Sequence, residues 1–297
     1  MFGDIGGHDL VRQRHLNDFA ANCFSQCGED GILKELLSRL PQRDRWCVEF
    51  GAWDGKLYSN TAALVGDGYR RVLIEANPKR YKALVAAHDA EPTTIEICAM
   101  VGWRGDKTLD AILAGTPTPR DFDLLSVDID GNDYHVWRAI EQYRPKVVVI
   151  EFNPTIRNGT EFVQPADPTV RQSSSITSMV QLGVSKDYRL VAATEYNAFF
   201  LDRSLADSIG LLERPLKEIR TDTSWQSEIF YGFDGTAMLR GGRGLEWHGL
   251  EQPTSVRLVP RIFHGFPGDF AMWRKAVLRA WAWSRRRQLR RYGPGRA

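Results

Sequence analysis

Apolar residues in this chain fall into short runs of strand length, separated by stretches in which they recur at helical spacing. Trp46-Cys47-Val48-Glu49-Phe50, Arg71-Val72-Leu73-Ile74 and residues 94–100, 123–127 and 146–150 are strand-like, and the last is a β-branched run of the kind buried on both faces of a sheet. Residues 9–41 are predicted to be helical, with Ile32, Leu33, Leu36, Leu37 and Leu40 on one face, Pro41 ending the run, and Ser25, Glu29 and Asp30 near the start. Ser59 is positioned to cap a short helix closed by Gly68. Residues 81–87 and 134–140 read as further helices, and Ser173 begins a Ser-capped helix running to Leu182. Residues 188–192 and 198–201 close the pattern as two strands around Thr194-Glu195-Tyr196-Asn197. Strand alternating with helix predicts an α/β fold: a doubly wound, mostly parallel sheet with an antiparallel edge strand.

The rhythm fails after this region, which sets the expected organisation. Residues 1–45 form an N-terminal helical cap, residues 46–202 a Rossmann-like domain, and residues 203–268 a turn-rich extension or lid. Residues 269–297 form a basic amphipathic tail. The extension is punctuated by Gly232, Gly235, Gly241, Gly242, Gly244, Gly249, Pro253 and Pro260, with Trp225, Phe230, Tyr231 and Trp247 as apolar anchors. In the tail, Trp273, Ala276, Val277, Ala280, Trp281 and Ser284 recur at helical spacing.

The net charge of +2 conceals an asymmetry, because nine basic and no acidic residues follow Asp269, leaving −7 on the rest. A basic amphipathic helix bearing tryptophans suits an anionic membrane surface, the alternative being that the tryptophans dock on the body. Nucleic acid is not expected, since the body is acidic and no recognition fold accompanies the basic run. The 43% hydrophobic and 26% charged content is that of a soluble globular protein, and no apolar run approaches a membrane span. Cys23, Cys27, Cys47 and Cys98 show neither metal-type spacing nor a disulfide framework. With no leader-like start, a cytoplasmic protein is expected, peripheral at the inner membrane face if the tail binds there.

The stretch with most chemistry is Glu49-Phe50-Gly51-Ala52-Trp53-Asp54-Gly55, a strand ending in an acid followed by a glycine-punctuated turn. The next strand ends in Glu75, 24 positions after Gly51. Nucleotide-binding halves place a ribose-binding carboxylate at a spacing of about 20 residues. Dinucleotide turns need a glycine where this chain has Trp53, so that the backbone can approach a pyrophosphate. A cofactor without phosphates is therefore expected, and S-adenosylmethionine fits. Glu49, Gly51, Ala52, Gly55 and Asn60 would shape its amino-acid side, Glu75 would hold the ribose diol, and Asp128 would also line the pocket.

Two later strands also end in polar clusters, Ser126-Val127-Asp128-Ile129-Asp130-Gly131-Asn132-Asp133 and Glu151-Phe152-Asn153-Pro154. In extended backbone Asp128 and Asp130 share a face, as do Glu151 and Asn153. If the strands are neighbours, Asp128, Glu151 and Asn153 could ligate Mg²⁺ or a similar hard cation. Alternatively, Asp128 or Asp130 acts as a general base, or these acids merely bind cofactor and cap helices. His135 follows on the next helix, where a lone histidine is more often structural, although its near-neutral pKa would suit a base.

Val48 to Gly55, Val101-Gly102 and Leu124 to Gly131 together resemble the FkbM-type class I S-adenosylmethionine-dependent methyltransferases. Ser25-Gln26-Cys27-Gly28-Glu29-Asp30 resembles an element that precedes the first strand in related bacterial proteins. The resemblance covers roughly residues 25–202. It implies a Rossmann-like class I methyltransferase fold and O-methylation, often of sugars. Ser126 stands where the family often has lysine, and Asp130 where it has glutamate. Catechol-type O-methyltransferases, which use metal, offer a looser likeness at Asp128, Glu151 and Asn153. The expectation is an O-methyltransferase acting on a hydroxyl of a sugar, glycan or glycolipid. The alternatives are a non-enzymatic membrane-associated binding module on the same fold, and an NAD-dependent oxidoreductase that Trp53 opposes.

Overall fold

The computed structural model describes residues 15–242, 244–245 and 248–292. The start of the predicted N-terminal helix, the Trp247 anchor and the last residues of the tail lie outside the described residues. The chain divides into two compact units, residues 1–223 and 224–297.

The first unit is built on a seven-stranded sheet. In chain order its elements are α1 (Glu29–Arg39), β1 (Trp46–Phe50), β2 (Arg70–Glu75), α2 (Pro78–His88), β3 (Thr94–Cys98), α3 (Leu109–Leu113), β4 (Leu124–Val127), α4 (Asp133–Ala139), β5 (Val147–Glu151), α5 (Ile176–Ser185), β6 (Tyr188–Ala193), β7 (Asn197–Asp202), α6 (Arg203–Ser208) and α7 (Leu216–Ile219). The strands lie in the order β3-β2-β1-β4-β5-β7-β6. β3, β2, β1, β4 and β5 pair in parallel, while β7 runs antiparallel to both β5 and β6. The α/β class, the parallel sheet and its antiparallel edge are as the hydrophobic pattern predicts.

Every residue of β1 and β4 is buried, because each sheet face carries its own core layer. Val48, Phe50, Val72, Leu125, Val148 and Phe200 pack one face with Trp137 and Met179 from α4 and α5. Cys47, Leu124, Val147, Val149, Phe199 and Leu201 pack the other with Leu33, Leu36 and Leu37 from α1.

The predicted helix over 9–41 is corrected. Within the described residues only a 3-10 turn, Leu16–Phe19, precedes α1, which starts at Glu29. Polar side chains explain the break. One Asp30 carboxylate oxygen accepts the N–H groups of Cys23, Phe24 and Ser25, and the Asn22 side chain accepts from Gly28 N–H and the Ser25 hydroxyl. Such local bonds compete with the helical ladder and fold the chain back instead. A second correction concerns α5, whose cap is Ser175, accepting from Ser178 N–H, rather than Ser173. Asn77 caps α2 with Pro78 at its first turn.

The second unit is not structureless. β8 (Ser227–Tyr231), β9 (Thr236–Gly241) and β12 (Ser255–Arg257) form an antiparallel sheet in the order β12-β9-β8, and β10 (Gly244–Leu245) pairs with β11 (Leu250–Glu251). The helix predicted in the tail is α8, Met272–Tyr292. Among the described residues no helix is long and apolar enough to cross a membrane.

Candidate functional site

Parallel strands deliver their carboxyl ends to one edge, and in this topology β2, β1, β4 and β5 place Glu75, Gly51, Asp128 and Glu151 side by side. The turn after β1 requires its glycine. Gly51 has φ +78, and a Cβ there would lie 1.8 Å from the Asp128 carbonyl oxygen, so two strand ends meet in backbone contact. Trp53 also has positive φ, +48, in the slot where dinucleotide turns carry glycine. Its indole is half exposed beneath the Arg80 guanidinium, 4.3 Å from the ring centre. The turn closes with Gly55 N–H on the Ala52 carbonyl, and the buried Arg71 guanidinium grips the Gly55 carbonyl while pairing with Glu91.

Glu75 is buried, and its two oxygens accept from Trp53 N–H at 3.0 Å and Asn77 N–H at 2.7 Å. Its carboxylate is thereby fixed toward the β1 turn. A carboxylate oxygen has lone pairs for a second hydrogen bond, so this group has capacity for two hydroxyl groups. Glu49 plays a different part. It is buried and accepts from the Ser59 and Thr61 hydroxyls, both at 2.6 Å, and from Asn60 N–H at 2.9 Å. Desolvation raises its pKa against these hydrogen bonds. Asn60 in turn donates to the Ser126 hydroxyl at 3.0 Å. Glu49 thus clasps the loop that follows the turn, and Asn60 joins that loop to β4.

At the ends of β4 and β5, carboxylate oxygens of Asp128, Asp130 and Glu151 lie within 4.8 Å of one another. Desolvation, with Asp133, Asp130 and Glu49 nearby, pushes the Asp128 carboxyl well above the usual carboxylate range. Asp133 is raised too, chiefly by burial, although it accepts the N–H groups of Ile129 and Gly131 and so shapes the β4–α4 turn. Arg171 lies 3.6 Å from Asp130, an exposed pair. Asn153 does not join this group: its side-chain oxygen accepts from the Thr155 N–H and hydroxyl, and its amide donates to the Gln172 carbonyl. His135 points into packing, with Nε2 2.8 Å from the Gln164 carbonyl and its ring between Trp103 and Tyr134. That bond makes Nε2 the protonated nitrogen, since a carbonyl only accepts.

Several residues that build this edge carry no recognisable pattern in the sequence. Gln164 is buried, accepts from Gln172 N–H and Ser173 N–H, and donates to the Val170 carbonyl, stitching the loop over the β4 turn. Arg220, stacked on Phe152, holds the chain after β5 through the carbonyls of Pro154 and Ile156. Glu29 does more than begin a helix. It accepts from Thr194 and Asn197 at the β6–β7 turn, and Asn197 is the register partner of Glu151. The available signal was the Ser25 to Asp30 stretch itself, which brings the N-terminal element to the same edge as the acids.

Residues 105–190 match the methyltransferase FkbM domain family. No curated protein matches the chain. Among solved structures, TrmK of M. capricolum in complex with S-adenosyl-homocysteine aligns at 9% identity and a TM-score of 0.37, over 57% of this chain and 67% of that one. The citrinin polyketide synthase CMeT domain aligns at 13% and 0.38, over 59% of this chain and about half, 51%, of that chain. The glycopeptide N-methyltransferase MtfA complexed with (S)-adenosyl-L-methionine aligns at 12% and 0.34, over 56% of this chain and 83% of that one. Likenesses this distant carry no weight for function, and the fold rests on the strand order itself. The family match spans β4 and β5 with their acidic ends, so residues 105–190 are FkbM-like and lie on a doubly wound, mostly parallel seven-stranded sheet.

Proposed function

We propose that this protein is an S-adenosylmethionine-dependent O-methyltransferase acting on a hydroxyl of a sugar, glycan or glycolipid. The observation that carries the reading is Glu75, held by Trp53 N–H at the end of β2 beside the Gly51 turn, on the same strand edge as the Asp128, Asp130 and Glu151 carboxylates. The match to a methyltransferase domain supports it. S-adenosylmethionine, when bound, supplies a methyl group on a sulfonium. Glu75 would hold the ribose diol, and the glycine-containing turn would leave backbone beside the amino-acid end. Asp128 or Asp130 would accept the proton of the acceptor hydroxyl, and a raised pKa makes Asp128 a stronger base once ionised. Much of the rate would come from holding nucleophile and methyl carbon in line. Carboxylates lining the acceptor side suit a polyhydroxylated substrate, because each accepts hydroxyl hydrogen bonds.

The convergence of three carboxylates favours a second reading of the same site, in which Asp128, Asp130 and Glu151 hold Mg²⁺ or a similar hard cation. Such an ion would acidify the acceptor hydroxyl.

The test is calorimetry with S-adenosylhomocysteine, followed by transfer of labelled methyl to oligosaccharides and lipid-linked sugars. Micromolar or tighter binding and a base-stable methyl ether are expected. Absence of binding overturns the cofactor assignment, and label on nitrogen overturns the O-specificity. Unchanged activity in EDTA removes the metal.

A further inference from the structure

We propose that the unit formed by residues 224–297 is a docking surface for an anionic lipid bilayer, independent of the methyl-transfer site. Two features of this unit point the same way. Thirteen basic and five acidic residues give it a net charge of +8, whereas residues 1–223 carry −6. It also holds 15 of the 23 large apolar side chains that are exposed among the described residues. A surface that is both strongly cationic and apolar is what an anionic headgroup layer over an acyl core recognises.

The apolar exposure is organised. In the β12-β9-β8 sheet the antiparallel register pairs Ile229 with Leu239, and Tyr231 with Ala237, which also faces Val256. Directly opposed residues share a face, so beyond the Ser227–Gly241 pair at its end one side of this sheet is apolar, and Ile229, Tyr231 and Val256 on it are exposed. In α8 the faces divide. Trp281 packs on Phe263 at 5.4 Å, while Arg274 reaches the Ile262 and His264 carbonyls and lies over the Phe270 ring. Trp273, Val277 and Trp283 are exposed on the rest of the helix, beside the exposed Arg279, Arg285, Arg286 and Arg287. The tryptophans of the tail therefore separate: Trp281 docks within its own unit, and Trp273 does not.

A nucleic acid would use the cations and leave the apolar face in water; a bilayer uses both. With no helix among the described residues long and apolar enough to cross, the proposed contact lies in the plane of the surface.

The test is flotation of the full 297-residue chain with vesicles of phosphatidylcholine alone or mixed with phosphatidylglycerol. Binding to the mixed vesicles is expected to exceed binding to neutral ones at least tenfold. The Arg285→Gln, Arg286→Gln, Arg287→Gln triple variant should lose about 100-fold, at roughly fivefold per cation. Trp273→Ser with Trp283→Ser should lose binding even at low salt. Circular dichroism and melting of each variant establish that the fold is retained. Equal binding to both vesicle types, an unaffected triple variant, or binding to duplex DNA but to neither vesicle type each overturns the proposal. Self-association of the chain that leaves no vesicle binding does so as well.

Discussion

Replacing Glu75 by alanine separates a cofactor ligand from a merely structural acid. The carboxylate accepts two backbone N–H groups, from Trp53 and Asn77. A hydrogen bond to a charged group contributes about 1.5–3 kcal/mol, and water entering the truncated site recovers part of this, so a stability loss of about 2–4 kcal/mol is expected. Ligand binding should fall further. If the same oxygens take the two ribose hydroxyls, removing both bonds costs about 3–6 kcal/mol, which is roughly a 100-fold to 10,000-fold rise in the Kd for S-adenosylhomocysteine. Glu75→Gln keeps the shape and one acceptor but turns an amide donor toward one of the N–H groups, so its Kd should lie between those of wild type and Glu75→Ala. Isothermal titration calorimetry reads the affinity, and thermal melting shows that each variant is folded. A folded Glu75→Ala variant that binds within a factor of about 3 of wild type would refute the ribose assignment.

Gly51→Ala forces a Cβ to 1.8 Å from the Asp128 carbonyl at φ +78. The left-handed backbone alone costs about 1–2 kcal/mol, and with the collision a loss near 3 kcal/mol should lower Tm by about 6–12 °C, read by calorimetry. Asp128→Asn should reduce kcat about 100-fold or more if Asp128 is the base. Because its folded pKa is raised, the basic form populates only above the usual carboxylate range, so wild-type kcat should climb through neutral pH; a flat profile would discount this role. Desolvation opposes Asp202 ionisation, but hydrogen bonds from Ser204 and the Arg144 pair hold its pKa below the ordinary value. Its contribution to stability is thus complete above the unfolded-state pKa and is lost as pH falls through the lower folded value. Urea melts of Asp202→Asn should show a shallower acid dependence than wild type.

The sheet was legible because burial imposes a pattern. Val147 to Ile150 form a β-branched run, and β5 is buried between two core layers, with only Glu151 at its end partly exposed. Glu75 and Asp128 were legible for a related reason: polar residues at the ends of such runs have nowhere to lie but the strand edge. Residues 15–28 depart from the helix their spacing predicts because Asp30 and Asn22 satisfy the backbone locally, and hydrophobic spacing does not register that competition. The sheet of the second unit leaves no such pattern, because its exposed apolar side chains do not alternate with polar ones on a solvent face.

By itself, then, the chain determined the fold class and the polar strand ends along one sheet edge, since both follow from one-dimensional periodicity and from acids set beside glycines. Only the tertiary structure decided which side chains come together at that edge. It drew Asp128, Asp130 and Glu151 together, turned Asn153 into the Thr155 loop and set His135 against Gln164. It also gave Glu49 to a loop clasp and brought Glu29 across the chain to Asn197. The physical reason is that a carboxylate or an amide takes whichever donors the packed backbone presents, and those donors come from residues far apart in sequence.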